Sequence, residues 1–390
     1  MPRLTPRGVL VAAVAAAAIA AILGGCGRSA ASAEPHRIGV IVSLTGSYAG
    51  LGDPEKNALI MEQERVNDEG GVNGRSIELV FADDGTDEAR AVTAASKLIE
   101  QDRVVALIGA TGTGQSMAIR GDIRRSAVPQ VSMAGGTVIT DEFDENVFQT
   151  PWSNTIVVPF VLDYLRERGL TRVALLTDAG GYGKDGHAIV TAEAPKAGLE
   201  IVEDQTFKPG DTDMTAQLTR IKGSDAEVIL MWAAGKEAVT VANNREQLGI
   251  DLPLVGGPGN ARREFIQGAE EAAEGFVLCA GRILVPGAYG EDTEEYRVAA
   301  DFIERYREKF GKDPDIFAGH AYDAFHIVVE ALRRLPREYA PVHLRDEIEA
   351  TSGFVGIGGT FTFSPTDHNG LSADELVMYR VENGEWVLEE

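Results

Sequence analysis

Two observations predict an α/β protein of two lobes, each built on a parallel-type sheet covered by helices. Short apolar runs alternate with longer amphipathic segments along nearly the whole chain, and glycine and hydroxyl residues cluster where the apolar runs end. The length supports two lobes, since about 355 residues after an N-terminal leader and tether exceed one typical core.

In chain order, residues 37–44 read as a strand. Residues 54–69 read as a helix with Ala58, Leu59, Met61 and Val66 as apolar positions, 76–82 as a strand and 87–101 as a helix. The run Val104 to Ile108 is short and continuously apolar, as expected of a parallel strand buried on both faces. It opens into Gly109-Ala110-Thr111-Gly112-Thr113-Gly114-Gln115-Ser116 and then a helical pattern from Met117. A second series begins near Trp152: a helix at 156–168, a strand at 172–177, and a glycine-rich loop from Asp178 to Gly186 opening a helix that should stop at Ala194, before Pro195. Strands at 199–207, 228–232 and 252–256 follow, with helices between them. The two series share an architecture without a close sequence repeat. Helices at 292–309, 318–334 and 343–351 come next, then a strand at 356–363 and a hairpin of 376–381 with 385–389 around Asn383-Gly384.

The N-terminus carries Arg3 and Arg7 before an alanine-rich apolar run, then Leu23-Gly24-Gly25-Cys26. This pattern is that of a secretory signal peptide. Its end resembles a bacterial lipobox, which implies cleavage after residue 25, lipidation of Cys26, and an exported, membrane-anchored protein. Residues 26–35, small and polar, read as a flexible tether. Loss of two arginines and no acid with the leader moves the formal charge from -24 to -26. Such an acidic chain is a poor partner for nucleic acid. The other cysteine, Cys279, sits in an apolar run and reads as a small buried residue.

The loop after Val104–Ile108 invites three chemical readings. Gly109 to Ser116 fits the phosphate-loop spacing except that Gln115 stands where a lysine is needed, and a neutral amide cannot supply that charge. Gly114-Gln115-Ser116-Met117-Ala118 approximates a nucleophile elbow, with alanine in place of the last glycine and no identifiable histidine partner. The remaining reading is a ligand loop, in which glycine allows close approach and the start of a helix offers N–H groups to a carboxylate. Two further loops end strands on the same sheet edge: Ser43 to Gly50, which includes Tyr48, and Met133 to Thr137. In sheets of this kind ligands sit beyond the carboxyl ends of the strands. The six histidines show no metal-ligand spacing, and Asp83 to Asp87 lacks the remaining ligands of a calcium loop. Neither a metal nor a cofactor is expected. His320 and Tyr322 read as packing or capping residues of a helix, and Trp152 and Trp232 as either core or cleft residues.

Several motifs taken in order resemble one family. They are the lipobox, Arg37-Ile38-Gly39-Val40-Ile41-Val42-Ser43-Leu44-Thr45-Gly46, Gly71-Val72-Asn73-Gly74-Arg75, Asp83-Asp84, Gly181-Tyr182-Gly183, Ala321-Tyr322-Asp323-Ala324 and Gly359-Thr360-Phe361-Thr362-Phe363. Together they resemble the periplasmic leucine/isoleucine/valine-binding proteins, type I substrate-binding components of ABC importers. The resemblance implies two Rossmann-like lobes joined by a three-crossover hinge, with lobe I at 36–150 plus 283–361 and lobe II at 151–282 plus 362–390. It further implies a monomer that delivers its ligand to a membrane permease. Carried over by position, Gly112, Thr113 and Gly114 would hold a ligand carboxylate, Ala134, Gly135, Gly136 and Thr137 would complete the grip, and Tyr182 would close over the ligand. Tyr48 is a further cleft candidate.

One departure bears on the ligand. Where amino-acid binders commonly place an acid for the ammonium, this chain reads Gly256-Gly257-Pro258-Gly259-Asn260. Without a counter-charge, burying an ammonium is costly. Asp178 or Glu237 would have to replace it. An amine-free aromatic or aliphatic acid therefore stands beside a branched-chain amino acid as the expected ligand, with a small amide third. The rival readings are a secreted serine hydrolase using Ser116 and a ligand sensor of the same fold.

Overall fold

The computed structural model describes residues 34–290 and 292–389. The leader, the Cys26 lipidation site and most of the tether lie outside the described residues. Two sheets organise the chain from His36 onward. The first contains β1 (His36–Val42), β2 (Ile77–Asp83), β3 (Ala106–Gly109), β4 (Gln130–Ser132) and β5 (Val147–Gln149), in the order β2-β1-β3-β4-β5 and parallel throughout. The second contains β6 (Arg172–Asp178), β7 (Glu200–Phe207), β8 (Val228–Trp232), β9 (Leu254–Gly256) and β10 (Val277–Ala280). To these it adds β13 (Val377–Glu382) and β14 (Glu385–Leu388), giving the order β14-β13-β10-β9-β8-β6-β7. Only β13 runs against the others, pairing antiparallel with β10 on one side and with β14 on the other, the latter through the Asn383-Gly384 turn.

The buried runs explain the parallel pairing. Val173 to Thr177 and Val228 to Trp232 pair residue by residue, and each of these residues is almost wholly inaccessible, so helices must cover both faces. Where β1 and β3 meet, Gly109 has φ +116°, and a Cβ there would lie 2.2 Å from the Ile41 carbonyl oxygen. Only glycine serves at this position.

Helix starts follow capping chemistry. Asp87 accepts from Arg90 N (2.8 Å) at the start of Glu88–Glu100, and Ser153 accepts from Thr155 N at the start of Asn154–Glu167. Asp315 accepts from both Phe317 N and Ala318 N (3.0 Å each) at the start of Ile316–Arg334.

Two expectations need correction. The first helix runs Ala49–Asp68 rather than from Pro54, because the Tyr48 carbonyl accepts from Leu51 N (2.8 Å) and Gly52 N (3.1 Å) and so begins the helix earlier. The expected strand at 356–363 is instead a two-stranded ribbon of β11 (Phe354–Val355) and β12 (Thr360–Phe361). Between them Ile357 N (2.6 Å) and Gly358 N (2.8 Å) donate to the buried Asp323 carboxylate and so leave the ladder. Cys279 is buried in β10 with a free thiol. Among the described residues, no helix is long and apolar enough to cross a membrane.

Candidate ligand-binding site

A small cavity lies where the strand ends of the two sheets face each other. From the first sheet's side come Tyr48, Thr111, Gly112, Thr113, Met133, Ala134 and Gly135; from the second's come Tyr182, Ala234, Pro258 and Gly259. Pro151 and Trp152 contribute from the first crossing, and Ile316, Phe317 and His320 from one helix.

Each loop is placed by its element. Tyr48 directly precedes the helix Ala49–Asp68. Gly112 and Thr113 open the helix Thr113–Ala118, whose six residues give only a short dipole, so the hydroxyl and backbone of the loop carry more weight than the sequence pattern implied. Ala134 and Gly135 follow β4, and Tyr182 stands on the first turn of Gly181–Glu193.

The other candidate residues sit one step back. Gly114 packs on Gly181 across the gap between lobes: a Cβ on Gly181 would lie 2.5 Å from Gly114 N and 2.9 Å from its Cα. Gly136 backs the Thr113 side chain. Thr137 does not reach the cavity; its N–H and that of Val138 donate to the Asp185 carboxylate (2.8 and 3.3 Å) in the opposite lobe, and Asn154 donates to the same carboxylate (2.7 Å). Gly257 lies against the Trp232 ring, while its neighbours Pro258 and Gly259 form the wall. A second lobe-to-lobe link joins Ser47 Oγ to Glu237 (2.7 Å), with Lys236 N donating to the Ser47 carbonyl. The lobes are therefore held in contact on both sides of the cavity.

Four buried polar atoms on the cavity wall have no hydrogen-bond partner in the protein: Thr113 Oγ1, Trp152 Nε1, Tyr182 Oη and His320 Nδ1. Their residues are at most 7% exposed. Buried polar groups are normally paired, and four orphans on one cavity mark a place that receives a polar ligand. The Tyr182 ring stacks with Trp232 at 6.3 Å, but the Trp232 N–H goes to Asn154 Oδ1 (3.1 Å) rather than to the Tyr182 hydroxyl. By contrast the Thr111 hydroxyl is spent on buried Glu55 (2.5 Å). Burial pushes His320 down to about 3, so its imidazole is neutral. Its position on the cavity departs from the packing or capping role read from the sequence, which offered no signal to find it.

The acids considered as ammonium partners do not line the cavity. Glu237 is engaged by Ser47 and by Gly210 N (2.6 Å). Asp178 accepts from Gly180 N (2.7 Å), and burial together with the Glu237 carboxylate raises it to about 6. Ser116 has a structural part. Its hydroxyl bonds Ser132 Oγ (2.8 Å) and the Ala110 backbone, with no histidine among these partners, so the elbow reading finds no triad.

Two α/β lobes meeting over a cavity with unpaired polar atoms and an aromatic lining define a hinged solute receptor. The chain belongs to the periplasmic binding protein family, whose model matches residues 35–385; its relatives are solute-binding proteins, not enzymes. It is similar to the Leu/Ile/Val-binding protein homolog 3 of Brucella melitensis, with 26% identity covering 93% of this chain and 95% of that protein. It is also similar to the leucine-, isoleucine-, valine-, threonine- and alanine-binding protein of Pseudomonas aeruginosa, with 23% identity over 83% of this chain and 86% of that one. Among solved structures it is similar to LivJ of Streptococcus pneumoniae, a branched-chain amino acid transporter substrate-binding protein in complex with isoleucine. That match has a TM-score of 0.80 and 29% identity, covering 90% of this chain and 97% of the other. An extracellular ligand-binding receptor of Rhodopseudomonas palustris shares the fold at a TM-score of 0.85 and 22% identity, covering 91% of this chain and 99% of that one.

Proposed function

We propose that this chain is the extracytoplasmic solute-binding lipoprotein of an ABC importer, holding a branched-chain amino acid or a related small carboxylate between its lobes. The observation that carries this reading is the convergence of four unpaired, buried polar atoms on one interlobe cavity. A receptor needs no catalytic base, only placed donors and closing walls. In this reading lobe I comprises 36–150 and 283–361, and lobe II comprises 151–282 and 362–390. Gly112, Thr113, Ala134 and Gly135 hold the carboxylate, Gly114, Gly136 and Thr137 back them from outside the cavity, and Tyr182 closes over it. Gly257 supports the wall through Trp232. Lipid on Cys26 keeps the monomer near its permease.

The named relatives, which include amino-acid binders of the same length and fold, support the transport role. Two experiments test it. Radiolabelled palmitate should enter the wild-type protein and not Cys26→Ser, and cells lacking the gene should lose saturable uptake of the ligand until it is restored. Stoichiometric labelling of Ser116 by a fluorophosphonate would instead return the chain to the hydrolases.

A further inference from the structure

Resting on that receptor reading, we propose that the cavity takes an amine-free aromatic monocarboxylate rather than an α-amino acid. The wall contributed by β8 and β9 decides this. An α-ammonium needs three acceptors or an anion. The carbonyls of this wall are already committed: Ala233 to Asn260 Nδ2 (2.8 Å), Ala234 and Gly259 to Arg262 Nη1 (2.9 and 2.8 Å), and Gly235 to Arg262 Nη2 (3.1 Å).

Arg262 is itself 3% exposed, and its guanidinium bonds carbonyl oxygens rather than a carboxylate. A buried cation thus stands behind the wall where an ammonium would need a negative charge. Its field opposes a second cation and favours an anion, in part offset by the Asp315, Glu264 and Glu237 carboxylates around it.

Three of the four unpaired atoms on the lining can donate. Trp152 Nε1 can only donate, and the Thr113 and Tyr182 hydroxyls can each donate, so three donors face a space in which a carboxylate can accept them. No carboxylate lines the cavity among the described residues. The acids nearby stand outside the lining: Glu55 bonds Thr111, Asp178 bonds Gly180 N and Glu237 bonds Ser47, while Glu55 Oε1 and Asp178 Oδ2 have no partner in the protein. Tyr48, Trp152, Tyr182 and Phe317 supply aromatic faces and edges, which suit a flat ring more than a branched aliphatic chain.

Calorimetric titration of the full-length, detergent-solubilised protein tests this with matched probes that differ only in the amine. These are 3-phenylpropanoate against phenylalanine and 4-methylpentanoate against leucine, with benzoate, benzamide, isoleucine and valine added. The expected result is that an aromatic acid binds and its amino counterpart binds at least about 100-fold more weakly. Thr113→Val, which keeps the side-chain shape, should weaken the acid at least about 10-fold with an unchanged melting temperature. Tight binding of leucine, isoleucine or valine, abolished by Asp178→Asn or Glu55→Gln in a folded protein, overturns the inference and leaves the receptor reading standing. Binding of benzamide at least as tight as benzoate overturns it as well. If no probe binds, the inference falls, and the receptor reading falls only if uptake by cells lacking the gene is also unchanged.

Discussion

Tyr182 shows how a residue kept for binding differs from one kept for packing. Its hydroxyl is buried without a protein partner, which costs free energy in the unliganded protein. Tyr182→Phe should therefore leave unfolding free energy unchanged or raise it by about 1 kcal/mol, while ligand affinity falls about 10-fold. Denaturant melts and calorimetry check the two signs; a loss of both would mean a packing role. That Tyr48 and Thr113 line the cavity fits the glycine and hydroxyl loops at strand ends, which have a limited set of uses, whereas Tyr182 was singled out by the family resemblance. His320, Phe317 and Ile316 were not, since they occupy the first turns of a helix whose other residues are nearly all core. A side chain at a buried helix start looks the same in sequence whether it faces core or cavity. Ser116 is the converse: its motif was visible, and its hydroxyl serves the turn between Ala110 and Ser132.

At the scale of elements, the helix Gly181–Glu193 sets its backbone at Gly181 against the backbone of Thr113 and Gly114. Gly181→Ala would place a methyl within 2.5 Å of Gly114 N, so the lobes could not meet as they do here. Affinity should fall at least about 10-fold, and because the clash is relieved by opening, the melting temperature of the unliganded protein should stay within about 2 °C. Asp185→Ala removes the acceptor shared by Thr137, Val138 and Asn154 and should act in the same direction. Most strands of both sheets were legible from their apolar runs, with boundary shifts of a few residues; β5 and β10 were not anticipated. The ribbon at β11 and β12 was not, because what breaks the expected strand is a carboxylate, Asp323, more than thirty residues earlier in the chain. Asp185 was likewise invisible, since its partners come from a distant loop.

The whole molecule depends on tying the late helices back to the first sheet. Glu62, in the helix Ala49–Asp68, accepts from Arg65 (2.9 Å), His326 (2.8 Å) and Arg305 (2.5 Å), and so joins three helices. Burial alone would raise its pKa, but the His326 hydrogen bond and charge, with Arg305, outweigh burial and bring it down to about 2. Between the ordinary glutamate value and about 2 the unfolded chain binds more protons. This contribution is thus fully present above about pH 4.5 and lost as pH falls through about 2; it amounts to about 3 kcal/mol. Wild-type unfolding free energy should drop across that window, and Glu62→Gln should be less stable at pH 7 yet fall less steeply there. Equal pH slopes in the two proteins would contradict the assignment.

In the receptor reading the ligand lies between Thr113 and Tyr182. The most direct test of that placement is a thermal-shift screen of amino acids, aromatic and aliphatic acids and amides against wild type and Tyr182→Ala. A compound at about 100 times its dissociation constant should stabilise the wild type by roughly 2.7 kcal/mol, and the shift should vanish in a variant that still melts cooperatively. If no compound shifts the wild type, or if the shift persists undiminished in Tyr182→Ala, the cavity is not the binding site.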